Sequence, residues 1–380
     1  MLVARGGEVL LDRGYGLANR EWNIPNDGET RHRLASVSKQ FTAVSVLVRV
    51  QQGRVDLDAP IKTYLTDAPA AWDAITVRQL LNHTSGVPNF TAFDDYQALK
   101  TLPTTVEGLI ARFRDRSLDF PPGTRWAYAN SAYVLATAIV ERVSGRTYAD
   151  FVVENLFQPL GMVDSGYDRH ATILARRASG YTSGPDGVVN ADYVDMSVPQ
   201  GAGALYSTTH DLLKWQQGLF GGRLLGPAAM AELTRPGLNN YALGVFVRPS
   251  GDALRISHSG GIEGFNTHLA HDGASGATVV VLGNLNGPAP DRLGADLMTL
   301  ATGGAVTLPQ ERRAIAVSPQ TLADYEGDYV LAPTFVLTVA VVDGQLTVQA
   351  TGQGRNLLAA EATENQIVHH PALAGVIAPR

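Results

Sequence analysis

Residues 36–53 read SVSKQFTAVSVLVRVQQG, and this stretch decides the centre of the fold. It contains no proline, it is apolar nearly all round from Phe41 to Val50, and it ends at Gly53. A helix that is apolar on every side is usually buried on several sides, and glycine commonly terminates helices. We therefore predict a helix over Ser36–Gln52, about 25 Å long at 1.5 Å per residue, inside a domain.

The overall composition is typical of a globular protein. The chain has 380 residues, of which 45% are hydrophobic and 17% are charged, whereas disordered chains combine low hydrophobicity with high net charge. At roughly 100–200 residues per domain, this length allows two or three domains. The formal net charge of −6 provides no basic surface for nucleic acid or for an acidic membrane.

The sequence contains no recognisable metal site. Cysteine is absent, which excludes disulfides, thiol nucleophiles and thiolate ligands. His369 and His370 form an isolated pair without the spacing of a ligand set, and no His-Glu-x-x-His motif occurs. We therefore expect no metal and no other cofactor.

No targeting or membrane segment is predicted. No stretch approaches the roughly 18–20 uninterrupted apolar residues of a membrane span. Arg5, Glu8, Asp12 and Arg13 lie where a signal peptide would need an apolar run. As numbered, the sequence predicts a cytoplasmic protein without an export signal, and an upstream segment in the natural chain would make it periplasmic or secreted.

Residues 75–161 contain helical patterns separated by loops, which predicts an all-helical lobe. The predicted helices are Val77–Asn82, Val106–Phe113, Ser131–Val143 followed by Gly145, and Tyr148–Leu156 stopped by Pro159. Another helix is predicted after Thr208, because Thr208 and Asp211 have the spacing of a capping box, in which each side chain bonds the other residue's amide. His83, in the sequence Asn-His-Thr-Ser-Gly, is interpreted as part of a structural loop that ends the first of these helices.

Strand patterns lie on both sides of this region. They cover Glu8–Asp12, Leu243–Arg248, Ala253–Ser257, Thr267–His271 and Ala277–Leu282, and Leu293–Ala301 is predicted as a closing helix. This order predicts an α+β fold in which an antiparallel sheet is flanked by helices, with the all-helical lobe beside it.

A second domain is predicted at the carboxyl end. Residues 1–302 form the first predicted domain, and residues 303–319 form a linker that contains Pro309, Pro319 and a short charged run. Residues 320–380 are predicted to be a small all-β, barrel-like domain. Its clearest signal is Asp343-Gly344 between two alternating segments, a pair that favours a two-residue hairpin turn.

Ser36 and Lys39 carry the first chemical signal. Three residues apart on a helix, their side chains lie on one face with Cβ atoms about 5–6 Å apart. A serine hydroxyl needs a base to become a nucleophile, and a desolvated lysine with a lowered pKa can be that base. The alternative is that Ser36 caps the helix and Lys39 extends to solvent.

Two further segments could contribute. Tyr128 could act as a tyrosinate-type base if cations lower its pKa, and Asn130 could hold Lys39 and a substrate amide. The alternative is a buried aromatic residue with Asn130 as a helix N-cap. The tetrapeptide His258, Ser259, Gly260 and Gly261 ends a predicted strand, where glycine allows close approach of a substrate and a backbone amide can stabilise an oxyanion.

The order Ser-x-x-Lys, Tyr-x-Asn, His-Ser-Gly resembles the serine β-lactamase-like hydrolases. This family includes class C β-lactamases, penicillin-binding proteins, D-alanyl-D-alanine carboxypeptidases, D-aminopeptidases and related esterases. The resemblance spans about residues 1–302 and extends to LLNHTSGVPNF (80–90), PPGTRWAYANSAYVL (121–135), GAGALYSTTHDLLKW (201–215) and SHSGGIEGF (257–265). The carboxyl-terminal segment resembles, more weakly, the lipocalin-like domain of some members.

The resemblance implies roles for the three motifs. Ser36 would be the acylated nucleophile, Lys39 and Tyr128 would share the proton transfers, and Asn130 would orient them. The segment from His258 to Gly261 would bind substrate, and the amides of Ser36 and Gly261 would form the oxyanion hole.

Two departures from the lactamase pattern refine the expected function. Tyr-Ala-Asn replaces Ser-Asp-Asn at 128–130, which points to the class C and D-peptidase branch. His258 replaces the usual lysine and so removes a permanent cation that would hold a substrate carboxylate, which disfavours efficient lactamase activity.

We therefore expect a serine hydrolase that acts through an acyl-enzyme on amide or ester bonds, first as a D-amino-acid-directed peptidase or amidase, or an esterase. The alternatives are a β-lactamase or penicillin-binding protein, and a catalytically silent homologue that binds peptides or serves as a scaffold. The expected partner is a small peptide, amide or ester substrate. The carboxyl-terminal domain could cover the cleft or drive homo-oligomerisation.

Overall fold

The computed structural model describes residues 1–185, 187–307, 317–332, 335–351, 355–358, 361–363 and 366–368. These residues belong to two compact units, Met1–Val306 and Thr307–Arg380. Residues 308–316 of the predicted linker lie outside the described residues, as do His369 and His370. The limits of the predicted domains therefore stay a prediction.

The strands of the first unit form several antiparallel sheets. They are β1 (Leu2–Arg5), β2 (Glu8–Asp12), β3 (Leu17–Asn19), β4 (Ile24–Pro25), β5 (His32–Arg33), β6 (Gly166–Tyr167), β7 (Tyr181–Gly184), β8 (Gly187–Asn190), β9 (Leu205–Ser207), β10 (Phe246–Ser250), β11 (Ala253–Ile262), β12 (Phe265–Asp272) and β13 (Ala277–Gly283). The largest sheet has the order β10-β11-β12-β13-β1-β2, so the first strand of the chain lies inside it. The expected α+β class with an antiparallel sheet is confirmed.

The helices of the first unit are α1 (Ser38–Gln51), α2 (Val77–Leu81), α3 (Tyr96–Leu99), α4 (Val106–Phe113), α5 (Asn130–Ser144), α6 (Tyr148–Val152), α7 (Gln158–Leu160), α8 (Thr209–Phe220), α9 (Pro227–Thr234) and α10 (Ala289–Ala301). Helix α10 packs on β12 and β13, while α8 packs against β13 and β1. Strand β13 reads ATVVVLG and is buried at five consecutive residues because the sheet is covered at this strand. Helix α1 packs against α5, α6 and α9 and is buried from Ser38 to Val48, as its apolar sequence predicts.

Three details differ from the sequence-based expectations. Ser36 lies in a 3₁₀ turn, Ala35–Val37, that leads directly into α1 rather than in the α-helix itself. Pro159 does not stop its helix, because a π-helical turn at Val153–Phe157 connects α6 to α7 and the chain ends this helix at Gly161 instead.

The third difference is at the cap of α8. Thr208 accepts from the Asp211 amide at 3.1 Å, as expected. The Asp211 carboxylate does not return the bond to Thr208, because it accepts from the Asp164 amide and from Ser165 instead. A tertiary contact therefore replaces the second half of the predicted capping box.

The second unit contains α11 (Pro319–Ala323), a four-stranded antiparallel sheet, and a separate two-stranded pair. The sheet strands are β14 (Gly327–Ala332), β15 (Phe335–Val342), β16 (Gln345–Ala350) and β17 (Arg355–Leu357), and the pair is β18 (Glu361–Thr363) with β19 (Gln366–Val368). Asp343 and Gly344 have φ of 51° and 77° in the β15–β16 turn, as the hairpin signal predicts. Closure into a barrel and the lipocalin-like assignment stay predictions. Within the described residues, no helix is long and apolar enough to cross a membrane.

Candidate active site

The turn that carries Ser36 has an uncommon backbone conformation. Ala35, the residue before it, has φ of +48° and is buried, and positive φ in a residue other than glycine is energetically costly. The neighbouring Leu34 is held on both sides: its amide donates to the Leu205 carbonyl at 2.8 Å, and its own carbonyl accepts from Thr267 Oγ1 at 2.8 Å. Packing against β9 and β12 therefore maintains the turn that presents Ser36 to the cleft.

Lys39 is fully buried beneath Ser36, in contact with three oxygen atoms. Its Nζ lies 3.1 Å from Ser36 Oγ, 2.8 Å from Asn130 Oδ1 and 2.8 Å from the Ala202 carbonyl oxygen. Among the described residues, no carboxylate contacts this amine. Burial without a counter-charge lowers the pKa of Lys39 well below its ordinary value.

A neutral amine can make all three of these contacts. The Asn130 and Ala202 oxygens are acceptors only, so each takes one N–H of Lys39. In the neutral form, which the lowered pKa favours, the remaining lone pair faces the Ser36 hydroxyl, which can donate to it. The sequence-based alternative, in which Lys39 extends to solvent, is wrong because this side chain is fully buried.

Asn130 is the first residue of α5, but its side chain does not cap that helix. Its Oδ1 accepts from Lys39, while its Nδ2 donates to Thr91 Oγ1 at 3.1 Å. Its backbone amide donates to Asn89 Oδ1 at 3.0 Å, which fixes the residue in place. The amide side chain therefore joins the buried lysine to the wall of the cleft.

Tyr128 reaches the same serine from the other side. Its hydroxyl is hydrogen-bonded to Ser36, and its ring lies 4.7 Å from Lys39 Nζ. Burial raises the pKa of Tyr128, so the phenol keeps its proton at neutral pH. The condition for a tyrosinate-type base, a lowered pKa, is therefore not met.

His83 supports the segment that carries Tyr128. It follows α2 with φ of +60° and is buried, as expected for a structural loop. Its carbonyl oxygen accepts from the Ala127 amide at 3.0 Å, and its Nδ1 accepts from the Ala129 amide at 3.2 Å. Both neighbours of Tyr128 are thus fixed by His83.

The segment His258–Gly261 lies in β11, and its residues point in different directions. The His258 Nδ1–H donates to the Ser259 carbonyl at 2.6 Å, while Nε2 accepts from the Tyr241 hydroxyl at 2.9 Å. Burial lowers the pKa of His258 to about 3, so this ring is neutral. The Ser259 side chain, in contrast, donates to Asp291 on α10.

The two glycines of this segment also differ. A Cβ atom at Gly260 would lie 2.3 Å from the Leu34 carbonyl oxygen, so only glycine lets β11 approach the Ser36 turn this closely. Ile262 and Phe265 flank a two-residue turn and so form a hydrogen-bonded pair, which makes the Gly261–Asn266 pair non-hydrogen-bonded. The Gly261 N–H therefore points away from β12, towards the free edge of β11.

The cleft has a volume of about 490 Å³. Of the predicted site residues, Ser36, Asn130 and Gly261 line it, and Lys39 and Tyr128 contact Ser36. His258, Ser259 and Gly260 do not line this cavity.

Three groups at the site could not be predicted from the sequence: the Ala202 carbonyl, Tyr241 and Glu263. A backbone carbonyl leaves no residue-type signal, and Tyr241 has no spacing that marks its contact with His258. Glu263 lies within the sequence SHSGGIEGF (257–265), but no motif or spacing in that segment marks it as a functional residue.

Comparison with known proteins identifies the family. The Beta-lactamase family profile matches residues 1–303. The chain is 26% identical over 385 residues to Penicillin-binding protein 4* of Bacillus subtilis (strain 168), covering 93% of this chain and 84% of that protein. It is 34% identical over 218 residues to Esterase EstB of Burkholderia gladioli, covering 53% of this chain and 55% of the esterase.

A solved structure gives a related match. The D-amino acid amidase from Ochrobactrum anthropi SV3, complexed with D-phenylalanine, superposes with a TM-score of 0.69 at 27% identity, covering 79% of this chain and 92% of the amidase. The expected serine hydrolase class, acting on amide or ester bonds, is confirmed by these matches. The chain belongs to the beta-lactamase family.

Proposed function

We propose that this chain hydrolyses amides or esters of D-amino acids and short peptides through an acyl-enzyme on Ser36. The observation that carries the proposal is the environment of Lys39, whose amine is hydrogen-bonded to two acceptor oxygens and to Ser36 Oγ and has no carboxylate partner in the described part of the chain. This geometry supports a neutral lysine that accepts the serine proton.

In the first step, Ser36 Oγ bonds to the substrate carbonyl carbon while its proton passes to Lys39 Nζ. The carbonyl oxygen becomes an oxyanion, which the amides of Ser36 and Gly261 stabilise. Tyr128 is a neutral phenol that is hydrogen-bonded to the same serine, and it is placed to give its proton to the departing nitrogen or oxygen. Lys39 then passes the serine proton to the Tyr128 oxygen, so that both side chains are neutral again and the leaving group has gained one proton.

In the second step, water takes the place of the leaving group. It bonds to the acyl carbon, its proton is accepted by the Lys39–Tyr128 pair, and the ester bond to Ser36 breaks. Ser36 regains a proton and the acid is released. No described residue other than these needs to change its protonation state.

Replacing the nucleophile tests the proposal. We expect Ser36→Ala to reduce p-nitrophenyl acetate hydrolysis to the uncatalysed rate, because losing a serine nucleophile costs on the order of 10⁶ in turnover. The matched control is Ser38→Ala, which removes a hydroxyl that accepts from the Leu205 amide at 3.2 Å. It should keep the activity and lose about 1 kcal/mol of stability.

Intact-protein mass spectrometry then identifies the acyl group. Wild type is mixed with D-amino-acid amides, short peptides, esters and penicillin, and a Ser36 adduct is sought on each. A fluorophosphonate that labels wild type but not Ser36→Ala excludes a catalytically silent homologue. Unchanged ester hydrolysis in Ser36→Ala would contradict the proposed function.

A further inference from the structure

The walls of the cleft carry an unusual charge. Among the described residues that line it, Glu263 is the one carboxylate, and neither lysine nor arginine is present. The basic side chains behind the walls do not reverse this balance. Lys39 has a lowered pKa without a counter-charge, His258 is neutral with both ring nitrogens hydrogen-bonded, and Lys100 is paired with two carboxylates. The described residues that line the cleft therefore present a negative charge to a ligand.

Glu263 belongs to a cluster of three charged groups. The buried Lys100 Nζ lies 2.9 Å from Glu263 Oε1 and 3.2 Å from Asp192 Oδ2. One ammonium shared by two carboxylates leaves a formal charge of −1 on this cluster. Because Lys100 contacts Oε1, the second oxygen of Glu263 is available to a ligand.

The backbone around Glu263 is fixed in advance. Asn286 Oδ1 accepts from the Gly264 amide at 2.7 Å, and Asn286 Nδ2 donates to the Ile262 carbonyl at 2.9 Å. The turn is therefore held on both sides of Glu263, while Lys100 holds its side chain. A pre-organised group of this kind binds a ligand without a large ordering cost.

The position of Glu263 along the chain matches the size of an amino-acyl group. It follows Gly261 by two residues, which at about 3.3 Å per residue places the two Cα atoms roughly 7 Å apart at most. In an α-amino acyl group, one carbon atom separates the carbonyl carbon from the ammonium nitrogen. Gly261 and Glu263 line the same cleft, so an acyl group whose carbonyl oxygen is bound at the Gly261 amide can extend its ammonium towards Glu263.

We propose that Glu263 binds the free α-ammonium group of the substrate, so that the cleft selects amino-acid amides and esters with an unblocked amine. This inference rests on the proposed function, because it places the reacting carbonyl at Ser36 and Gly261. Acyl groups with a blocked amine lack the cation that Glu263 would bind. Acyl groups that carry a carboxylate would be repelled by it.

The test compares three substrates with one leaving group, in both D and L forms. They are the p-nitroanilides of alanine, N-acetylalanine and N-succinylalanine, assayed at pH 7, where the free amine is largely protonated. For wild type we expect kcat/KM to fall in that order. Glu263→Gln should lower kcat/KM for the free-amine substrate about 10- to 100-fold, the usual effect of losing a charge-assisted hydrogen bond. For the acetyl substrate, kcat/KM of this variant should stay within a few-fold of the wild-type value.

Lys100→Met is the matched control. It removes the ion pair but keeps the Glu263 carboxylate, so it should retain the preference for the free amine. If both variants lose that preference equally, Glu263 serves only to fasten Lys100, and the assignment is wrong. Circular dichroism and thermal melting establish that both variants fold.

Other outcomes also decide the inference. An unchanged ratio of free-amine to acetyl kcat/KM in Glu263→Gln would overturn it while leaving the proposed function intact, provided that p-nitrophenyl acetate is still hydrolysed. Absence of acetate hydrolysis and of a Ser36 adduct in wild type would overturn the proposed function and this inference together.

Discussion

In the proposed mechanism, the protonation state of one residue, Lys39, controls the chemistry of the cleft. Its amine is fully buried, and the oxygen atoms around it are uncharged. The same burial that lowers its pKa also restricts its geometry, since two carbonyl oxygens occupy its N–H groups. Burial thereby favours the uncharged form of a side chain that is usually a surface cation.

A pH profile tests this state. The proposed mechanism requires neutral Lys39, so kcat/KM for p-nitrophenyl acetate should rise with pH through a single ionisation below 10.5 and be lost as the pH falls through it. Lys39→Arg should lower kcat/KM by about 10²–10⁴-fold at every pH, because a guanidinium does not deprotonate. Lys62→Arg, which keeps an exposed ion pair with Asp73, is the control. A profile of Lys39→Arg that parallels wild type would contradict the role of Lys39.

At the scale of elements, the site depends on the contact between β11 and the turn before α1. Gly260 makes this contact possible, because a side chain there would meet the Leu34 carbonyl and Thr267 Oγ1 at 2.3 and 2.4 Å. Neither atom moves freely, since they are hydrogen-bonded to each other. The separation of the Ser36 and Gly261 amides is therefore set by backbone packing.

Gly260→Ala should push β11 away from the turn and separate the two amides. We expect kcat/KM for p-nitrophenyl acetate to fall by about 10²–10³-fold, as when one oxyanion donor is lost. Overpacking should also lower the free energy of unfolding by about 1–3 kcal/mol. In the control Gly226→Ala, the nearest atom is the movable Gln51 Oε1 at 3.3 Å, so activity should persist. A Gly260→Ala enzyme with normal kcat/KM would show that the spacing is not critical.

At the scale of the molecule, buried histidines make the first unit sensitive to acid. Burial lowers the pKa of His32 to about 4 and of His258 to about 3, and it lowers the pKa of His83 well below the ordinary value. The Nε2 atoms of His32 and His83 are buried without a hydrogen-bond partner. A proton added to any of these rings would place a charge in an apolar surrounding.

Stability should therefore fall with pH below about 6.5, the ordinary histidine pKa. At pH 5.5, one pH unit below this pKa, the unfolded state binds more protons than the folded state. Each buried histidine then lowers the free energy of unfolding by about 1.4 kcal/mol, and the three together lower it by about 4 kcal/mol. Urea unfolding followed by tryptophan fluorescence measures this in the first unit, which contains all four tryptophans. His258→Gln should remove about a third of the loss, and the exposed His170→Gln none. Equal stability at pH 7.5 and 5.5 would contradict this account.

Much of the fold could be predicted because its signals are local. The apolar stretch of α1, the hairpin at Asp343-Gly344 and the limits of α4 follow from periodicity and turn chemistry within a few residues. The ends of elements were less predictable where distant groups intervene. Asp211, for example, bonds to Asp164 and Ser165 rather than completing its own cap.

The sequence alone determined that Ser36 and Lys39 lie within reach of each other, because one helical turn sets that distance whatever surrounds it. Only the tertiary structure decided that Lys39 is buried against the Ala202 carbonyl, that His258 is neutral, and that Glu263 meets Lys100 across 163 residues of chain. Burial and long-range contacts set these charges, and neither leaves a periodic pattern in the sequence. The groups that could react were thus local properties of the chain, whereas their protonation states and the sign of the charge in the cleft came from packing.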